Sequence, residues 1–178
     1  QYKEFTFVST GRLVTDKGIG ELIDAFIKFH DNIPDSQLFL LGDGPERGRF
    51  EKQATAHPAI HFLGYKENPL EYVAKSHVLL LPTYHEGFSL ALVEACMLAM
   101  PIIATNVGGN PEIIRDHDNG LLVVAKSSDG LYEAMKVLYS DKDLREKVSQ
   151  NARKEYVGKF NFESVIRDNF ISYYRGKS

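Results

Sequence analysis

The sequence lacks several features that define whole classes of protein. Its 178 residues include one cysteine, Cys96, which excludes a disulfide framework and predicts a buried, unreactive thiol. No apolar run reaches the roughly 18–20 residues that a membrane-spanning helix requires. The formal net charge of -3 argues against a dedicated nucleic-acid surface, because binding to phosphates requires a positive excess. The chain is long enough for one domain with its own core.

Several common motifs of enzyme sites are also missing. There is no P-loop of the form GxxxxGKS or GxxxxGKT, no CxxC pair and no GxSxG nucleophile turn. The histidines do not have the spacing of metal ligands, and His85 is interpreted as a neighbour of a candidate site rather than as a catalyst. We therefore expect neither a bound metal ion nor a resident cofactor.

What the sequence does contain is a regular alternation of short apolar runs and helical segments. The apolar runs predict strands over 5–13, 37–42, 59–65, 77–83, 101–106 and 120–125. The other segments predict helices over 18–31, 46–56, 69–76, 89–100, 111–116 and from Ser127 to the end, with Asp141 and Asn161 as N-caps. This alternation predicts an α/β fold with a doubly wound, Rossmann-like parallel sheet of about six strands. Ligands of such sheets bind beyond the carboxyl ends of the strands, so we expect the site residues on the turns there.

The turn after the first predicted strand, GRLVTDKG, carries two cations, Arg12 and Lys17. Positive charges at the start of a helix oppose the helix dipole, so a purely structural role is mildly unfavourable. An anion held between the two side chains would remove this conflict. Solvated surface charge explains this segment equally well when it is taken alone.

The turn after the second strand, GDGPERG, resembles a dinucleotide-binding fingerprint through the spacing of Gly42, Gly44 and Gly48. However, it follows the second strand rather than the first, and Pro45 removes a backbone donor where a pyrophosphate needs one. The next strand ends in FLGY, without an acidic residue that could hold a ribose. An NAD(P)-binding oxidoreductase domain therefore stands only as an alternative.

The turn after the fourth strand leads into the stretch HEGFSLALVEACMLAM. Gly87 allows a sharp turn, and Phe88, Ser89 and Leu90 present backbone N–H groups at a helix start, which favours an anion there. Glu94 stands among apolar residues about 7 Å further along the helix axis. Burial of an unpaired carboxylate is costly, and the two hydroxyls of a ribose would offset that cost. The alternative is a core glutamate that a backbone donor or an arginine satisfies.

Two further acidic positions belong to this edge of the predicted sheet. Glu86 lies on the turn before the helix, so one carboxylate is at the mouth of the predicted anion site and Glu94 is set back from it. The turn after the fifth strand, NVGGNPEII, places Gly109 and Asn110 ahead of Glu112, where the helix dipole favours an acid. The dipole alone explains Glu112, so this turn indicates only a neighbourhood.

Taken together, these turns resemble the donor-binding C-terminal half of the retaining glycosyltransferases of family four, which have the GT-B fold. Four segments match in order, namely GRLVTDKG, GDGP, EGFSLALVE and GGNPE, and the third contains the E-x7-E motif as Glu86 and Glu94. The resemblance extends from Phe5 to Tyr174. It implies that residues 1–178 form a single nucleotide-sugar-binding domain, excised from a longer enzyme without its N-terminal acceptor domain.

The resemblance implies a donor, a nucleoside diphosphate sugar, and a set of groups that hold its phosphates. Arg12 and Lys17 would neutralise the diphosphate and stabilise it as a leaving group, in place of a divalent metal. The N–H groups of residues 88–90 would bind the distal phosphate. Transfer in this family retains the anomeric configuration, and the leaving phosphate would take the acceptor proton, so that no protein nucleophile is required.

The resemblance also implies roles for the remaining site residues. Glu94 would bind the ribose hydroxyls, and Glu86 would face the sugar ring. Tyr65 and Lys66, on the turn after the third strand, would lie near the base. Two residues are placed only in the neighbourhood of the donor, Gly109 and Asn110.

For the protein as a whole, the resemblance implies a partner in the N-terminal domain of the full-length chain, which closes on the donor. The isolated chain is therefore expected to bind nucleotide weakly and not to transfer sugar. A cytoplasmic location is expected, with peripheral membrane contact through the N-terminal domain and no nucleic-acid partner. The alternatives are a nucleotide-sugar epimerase, the NAD(P)-binding domain and a non-catalytic nucleotide-binding module.

Overall fold

Strands and helices alternate along the chain in the computed structural model, which describes residues 1–160. The strands are β1 Phe5–Thr10, β2 Ser36–Leu41, β3 Ile60–Gly64, β4 Val78–Leu81, β5 Ile102–Thr105 and β6 Leu121–Val123. The helices are α1 Ile19–Asn32, α2 Arg47–Gln53, α3 Pro69–Lys75, α4 Leu90–Met97, α5 Asn110–Ile113, α6 Ser128–Ser140 and α7 Lys142–Glu155. A 3-10 turn, Thr15–Lys17, precedes α1, and a π-helical segment, Tyr156–Phe160, follows α7.

The six strands form one sheet in the order β3-β2-β1-β4-β5-β6, and all neighbouring strands are parallel. This confirms the predicted doubly wound sheet. The chain first builds outward from β1 and then returns to its other side, so the strand order reverses between β1 and β4. The crevice at such a reversal is where ligands bind in folds of this type.

The four central strands, β1, β2, β4 and β5, are buried on both faces, as their continuous apolar sequences predicted, whereas the edge strands β3 and β6 are partly exposed. Alternate residues point to opposite layers: Phe7 packs with α1 and α6, whereas Val8 packs with α3 and α4. Full burial of one such apolar side chain contributes about 1.5–3 kcal/mol. Cys96 lies in the second layer with no exposed surface, and burial raises the pKa of its thiol to about 12, which confirms the predicted inert thiol.

Some helices are shorter than predicted because local backbone geometry ends them. Helix α4 stops at Met97, and Ala99 then adopts a left-handed conformation with φ 53°. Helix α5 stops at Ile113, since Ile114 is extended. The predicted cap at Asp141 is confirmed, because its side chain accepts from the Leu144 N–H at 2.8 Å. The cap predicted at Asn161 lies outside the described residues. Within residues 1–160, no helix combines the length and apolarity needed to cross a membrane.

Candidate active site at the strand reversal

The candidate site lies at the carboxyl edge of the sheet, where the turns after β1 and β4 meet. The Tyr84 N–H donates to the Asp16 carbonyl at 2.8 Å, and Thr83 Oγ1 donates to the same oxygen at 3.2 Å. Gly18 is left-handed, with φ 67°, and a Cβ there would lie 2.0 Å from the Pro82 carbonyl oxygen. The close contact between the two turns therefore requires a glycine.

Two of the predicted site residues meet directly across this contact. Lys17, on the turn after β1, places its Nζ 3.0 Å from a carboxylate oxygen of Glu86, on the turn after β4. The side chains are 32% and 18% exposed, so the pair is only partly shielded from water. An ammonium has three donors, and this contact uses one of them. Lys17 can therefore hold Glu86 and still donate to a second acceptor.

Arg12, Tyr65 and Lys66 line a cavity of about 300 Å³ at the carboxyl ends of β1, β2 and β3. The Arg12 guanidinium is exposed and makes no hydrogen bond or ion pair within residues 1–160. The Tyr65 ring is 78% exposed. Lys66 lies over the Tyr72 ring, with its Nζ 5.6 Å from the ring centroid. The cavity therefore combines an uncommitted guanidinium with an aromatic face.

Glu94 differs from the expectation in one respect, because it is exposed rather than buried among its apolar neighbours. It lines a small crevice next to the larger cavity, and the two share Thr10 and Pro69. Its carboxylate has no hydrogen-bond or ion-pair partner in the part of the chain that the structure describes, so neither a backbone cap nor an arginine satisfies it. Although the residue is exposed, the neighbouring side chains of the crevice displace part of the hydration of its carboxylate, and this partial desolvation raises the pKa of Glu94.

The turn between Glu86 and α4 has the predicted helix start but a different glycine conformation. Ser89 is the N-cap of α4: it is buried, and its Oγ accepts from the Leu92 N–H at 3.4 Å. Gly87 is not left-handed, and a Cβ there would meet no atom within 4 Å, so this glycine is not required by the turn itself. Phe88 and Leu90 flank the cap with exposed side chains.

Close backbone approach occurs instead at the turn after β5. A Cβ on Gly108 would lie 1.7 Å from the Glu86 carbonyl oxygen, and one on Gly109 would lie 2.0 Å from that of Gly87. The Gly109 N–H also donates to the Glu86 carbonyl at 3.1 Å. Asn110 is fully buried and donates its side-chain amide to the Thr105 carbonyl at 3.0 Å. Gly109 and Asn110 therefore support the Glu86 turn from behind.

The GDGPERG segment packs against the turn after β1. A Cβ on Gly42 would lie 1.9 Å from the Gly11 carbonyl oxygen, and one on Gly44 would lie 2.4 Å from the Leu13 carbonyl oxygen. A dinucleotide fingerprint uses these glycines to let the backbone approach a pyrophosphate. Here protein backbone occupies that space, so the two glycines serve the packing of neighbouring turns.

Sequence reasoning missed the buried threonines that connect the turns. Thr105 Oγ1 donates to the Thr83 carbonyl at 2.6 Å, and the Thr83 hydroxyl shares its single proton between the carbonyls of His85, at 2.8 Å, and Asp16, at 3.2 Å. These bonds join the turns after β5, β4 and β1 in one line. The sequence does contain a signal for these contacts, because a threonine lies at or just after the end of β1, β4 and β5, at Thr10, Thr83 and Thr105. No group of three or more potential metal-ligating side chains occurs within the described part of the chain.

Comparison with known proteins identifies the family. The sequence profile of the glycosyl transferases group 1 matches residues 1–155. The chain belongs to this family. Two similar relatives are the N-acetyl-alpha-D-glucosaminyl L-malate synthase of Bacillus anthracis, 31% identical over 89% of this chain, and the lipopolysaccharide core biosynthesis glycosyltransferase LpsE of Rhizobium meliloti, 29% identical over 89%. The matched regions cover 42% and 46% of these relatives, so the chain spans less than half of their length.

Solved structures agree with this group 1 assignment. The C-terminal domain of a group 1 glycosyl transferase from Francisella tularensis superposes with a TM-score of 0.81, at 29% identity, over 88% of this chain and 86% of that one. Anabaena HepE, solved with UDP, superposes with a TM-score of 0.90 over 97% of this chain and 49% of that one. The identity to HepE is 22%, so this likeness concerns the fold. The group 1 chain thus has the fold of the C-terminal half of a GT-B glycosyltransferase.

Proposed function

We propose that this chain is the donor-binding half of a retaining glycosyltransferase, which moves a sugar from a nucleoside diphosphate sugar to an acceptor. The observation that carries the proposal is the grouping of uncommitted polar groups at the strand reversal. Arg12 and Glu94 have no partner within residues 1–160, and Lys17 has donors to spare beside Glu86. Anabaena HepE has been solved with UDP and with UDP-glucose, which supports a nucleoside diphosphate as the first ligand to test.

The diphosphate would be held by positive charge and backbone donors. Arg12 offers a planar fork of donors, which suits phosphate oxygens, and Lys17 offers a point charge. The start of α4, an eight-residue helix, adds the N–H groups of Ser89 and Leu90 and the positive end of its dipole, with Phe88 beside them. We infer that these groups stabilise the negative charge that develops on the diphosphate as it leaves, without requiring a divalent metal.

The nucleoside would occupy the two adjoining cavities. Glu94 would accept hydrogen bonds from both ribose hydroxyls, because its carboxylate lines the smaller crevice and has no partner within residues 1–160. Tyr65 would stack on the base, and Lys66 would lie beside it. Thr10 and Pro69 line both cavities, so a ribose and a base could occupy them as one continuous ligand.

The sugar would lie against Glu86, close to the leaving diphosphate. A carboxylate there can accept from a sugar hydroxyl and can support positive charge as it develops at the anomeric carbon. The retained configuration is inferred from the family resemblance: the acceptor would attack on the face that the diphosphate leaves, and the leaving phosphate would take the acceptor proton. The C1–O bond to the diphosphate breaks as the new glycosidic bond forms, and the proton ends on the released diphosphate.

The NAD(P) alternative is less compatible with the packing. Its proposed phosphate loop would require open space at Gly42 and Gly44, where the Gly11 and Leu13 carbonyls already lie. An epimerase would require further acid and base groups beside the sugar, and the pattern of residues supplies no obvious pair. We therefore keep the sugar transferase as the single candidate function.

Calorimetric titration of the 178-residue chain with UDP, GDP, ADP and NADH, each in the presence of EDTA, tests the proposal. One of the nucleoside diphosphates should bind and raise the unfolding temperature, since a ligand at 100 times its Kd adds about 2.7 kcal/mol of stability. NADH should have no effect. Binding of NADH alone would favour the oxidoreductase alternative, and no response to any of the four would overturn the donor-site proposal.

Further proposals concern the rest of the protein to which this chain belongs. Because the chain spans less than half of its relatives, we propose that an N-terminal domain of the same protein binds the acceptor and closes on the donor. We further propose a cytoplasmic location, with peripheral membrane contact through that domain. Transfer to a defined acceptor by residues 1–178 alone would contradict this division of roles.

A further inference from the structure

The GDGPERG segment contains a carboxylate that the donor site does not use. Glu46 lies directly before α2 and receives hydrogen bonds from both the backbone N–H and the side-chain hydroxyl of Thr15, the latter at 2.7 Å. Arg49 Nη1 lies 3.0 Å from the same Glu46 oxygen and 3.0 Å from Thr15 Oγ1. Thr15 lies between Arg12 and Lys17 on the turn after β1. The carboxylate therefore holds the middle of the turn that carries both cations.

We propose that Glu46 is a positioning residue, which fixes the turn of Arg12 and Lys17 in the geometry that binds the diphosphate. This inference rests on the proposed function. Glu46 acts through Thr15 and is not expected to touch the donor itself.

Hydrogen bonds hold the turn after β1 on both sides of Thr15, and Glu46 holds Thr15 itself. On the β2 side, the Leu13 N–H donates to the Asp43 carbonyl at 3.0 Å, and the Glu46 N–H donates to the Leu13 carbonyl at 3.3 Å. On the β4 side, the Asp16 carbonyl accepts from Thr83 and Tyr84. Leu13 and Asp16 are thus fixed by backbone contacts, and Thr15, between them, is fixed by the Glu46 side chain.

The chemistry of these contacts requires an ionised glutamate rather than a polar side chain in general. Both carboxylate oxygens are used: one accepts from the Thr15 N–H and the other from the Thr15 hydroxyl and Arg49. The hydrogen bonds from the Thr15 side chain and backbone lower the pKa of Glu46, so it stays charged at neutral pH. A glutamine has a single carbonyl oxygen and presents an amide group in place of the second acceptor. That amide could still donate to the Thr15 hydroxyl, but it would face Arg49 Nη1, which is also a donor, and the ion pair that fixes the carboxylate would be lost.

A fixed turn matters because preorganised charges lose little freedom when a ligand binds. An exposed arginine or lysine on a mobile turn would have to be ordered on binding, and each rotamer-rich side chain costs about 0.5–1.5 kcal/mol to immobilise. Electrostatic stabilisation of a leaving group also depends on donors that are already aimed at it. Loss of Glu46 is therefore expected to weaken recognition of phosphates specifically.

The test compares the Glu46→Gln variant with Glu133→Gln as a matched control. Glu133 also forms an ion pair with a residue three positions ahead, Lys136, and it lies on α6, away from the candidate site. Kd is measured by calorimetry for the nucleoside diphosphate that the unmodified chain binds and for the corresponding nucleoside without phosphates. We expect Glu46→Gln to raise the Kd for the diphosphate by 5-fold or more, with the Kd for the nucleoside unchanged. Glu133→Gln should change neither value.

Two further measurements separate positioning from a general loss of structure. In a double-mutant cycle, the loss caused by Glu46→Gln should be smaller in the Lys17→Ala background than in the unmodified chain, because part of it acts through Lys17 and the rest through Arg12. Amide hydrogen exchange should accelerate at residues 12–17 in Glu46→Gln and stay unchanged in the strands. Equal diphosphate affinity in Glu46→Gln and the unmodified chain, or an equal loss of nucleoside and diphosphate binding, would overturn the positioning role alone. If the unmodified chain bound no nucleoside diphosphate, the proposed function would fail and this inference with it.

Discussion

Lys17 and Glu86 form an ion pair of 3.0 Å between the turns that follow β1 and β4, at the point where the strand order of the sheet reverses. The pair joins two residues that are 69 positions apart in the sequence. It also places opposite charges where the donor's diphosphate and sugar are proposed to meet. We therefore assign the diphosphate to Lys17 and the sugar to Glu86, although the two side chains are in direct contact.

Replacing Glu86 with glutamine should separate these two tasks. Glu86→Gln removes a negative charge near the diphosphate and releases Lys17, so the Kd for a nucleoside diphosphate should stay the same or fall by up to about 10-fold, which corresponds to about 1.4 kcal/mol. Binding of the matching nucleoside diphosphate sugar should no longer exceed that of the diphosphate. Calorimetry with both ligands measures the difference. A large loss of diphosphate affinity would contradict the assignment of Glu86 to the sugar.

Replacing Glu94 should remove the contribution of the ribose and its pH dependence. Glu94→Gln should weaken nucleoside diphosphate binding by about 10- to 100-fold, since hydrogen bonds to a charged acceptor contribute roughly 1.5–3 kcal/mol. The unmodified chain should prefer a ribose over a 2′-deoxyribose nucleotide, and the variant should lose most of this preference. Equal preference in both proteins would show that Glu94 does not bind the ribose.

The raised pKa of Glu94 sets the direction of its pH effects. Burial favours the protonated form in the folded chain, so nucleotide binding should weaken on acidification while the pH is still above 4.5, the ordinary value for a glutamate. In the absence of ligand, acidification has the opposite effect on folding, because protonation of Glu94 favours the folded chain. The folded chain binds this proton more readily than the unfolded chain, so ionised Glu94 slightly lowers the stability. Glu94→Gln should therefore leave the unfolding free energy unchanged or slightly higher, as measured by urea denaturation.

The positions of the six strands and their parallel pairing in a doubly wound sheet could be predicted from the sequence, because each strand is a continuous apolar run with a helical segment after it. The glutamates of the E-x7-E motif could be located for the same reason, since the turn after a buried strand reaches the edge where ligands bind. The exposure of Glu94 could not be predicted. Apolar neighbours in the sequence indicate a buried helix face, but Glu94 lies toward the crevice between α3 and α4, which only the packing of β1 and β4 creates.

The role of the GDGPERG segment also depended on tertiary packing. Its GxGxxxG spacing is similar to the GxGxxG of a phosphate loop, and the sequence does not reveal which atoms approach each glycine. The Glu46–Thr15 contact spans 31 residues and joins two turns, so no local pattern indicated it. Contacts between turns of a parallel sheet generally join residues that are far apart in the sequence, because each turn follows a different strand.

Two glycines of this segment provide a matched test of its role. Gly44→Ala would place a Cβ 2.4 Å from the Leu13 carbonyl oxygen, so the variant should be destabilised by more than about 1 kcal/mol, a typical value for a backbone clash of this kind. Gly48 lies in α2 with open space around its Cβ position, and Gly48→Ala should stabilise the chain by about 0.5–1 kcal/mol. Denaturant unfolding measures both effects. Unchanged stability in Gly44→Ala, or severe destabilisation in Gly48→Ala, would contradict this account of the packing.

The buried hydroxyl of Thr83 should stabilise the junction of the turns and, through it, the site. Thr83→Val keeps the shape of the side chain but removes the donor to the His85 and Asp16 carbonyls, which should cost about 1–3 kcal/mol of unfolding free energy. The control is Thr55→Val, whose exposed hydroxyl bonds only within its own helical turn, and it should stay within about 0.5 kcal/mol of the unmodified chain. Because the Thr83 hydroxyl connects the Lys17 turn to the Glu86 turn, Thr83→Val should also raise the Kd for a nucleoside diphosphate. Loss of stability with an unchanged Kd would show that the junction supports the fold without shaping the site.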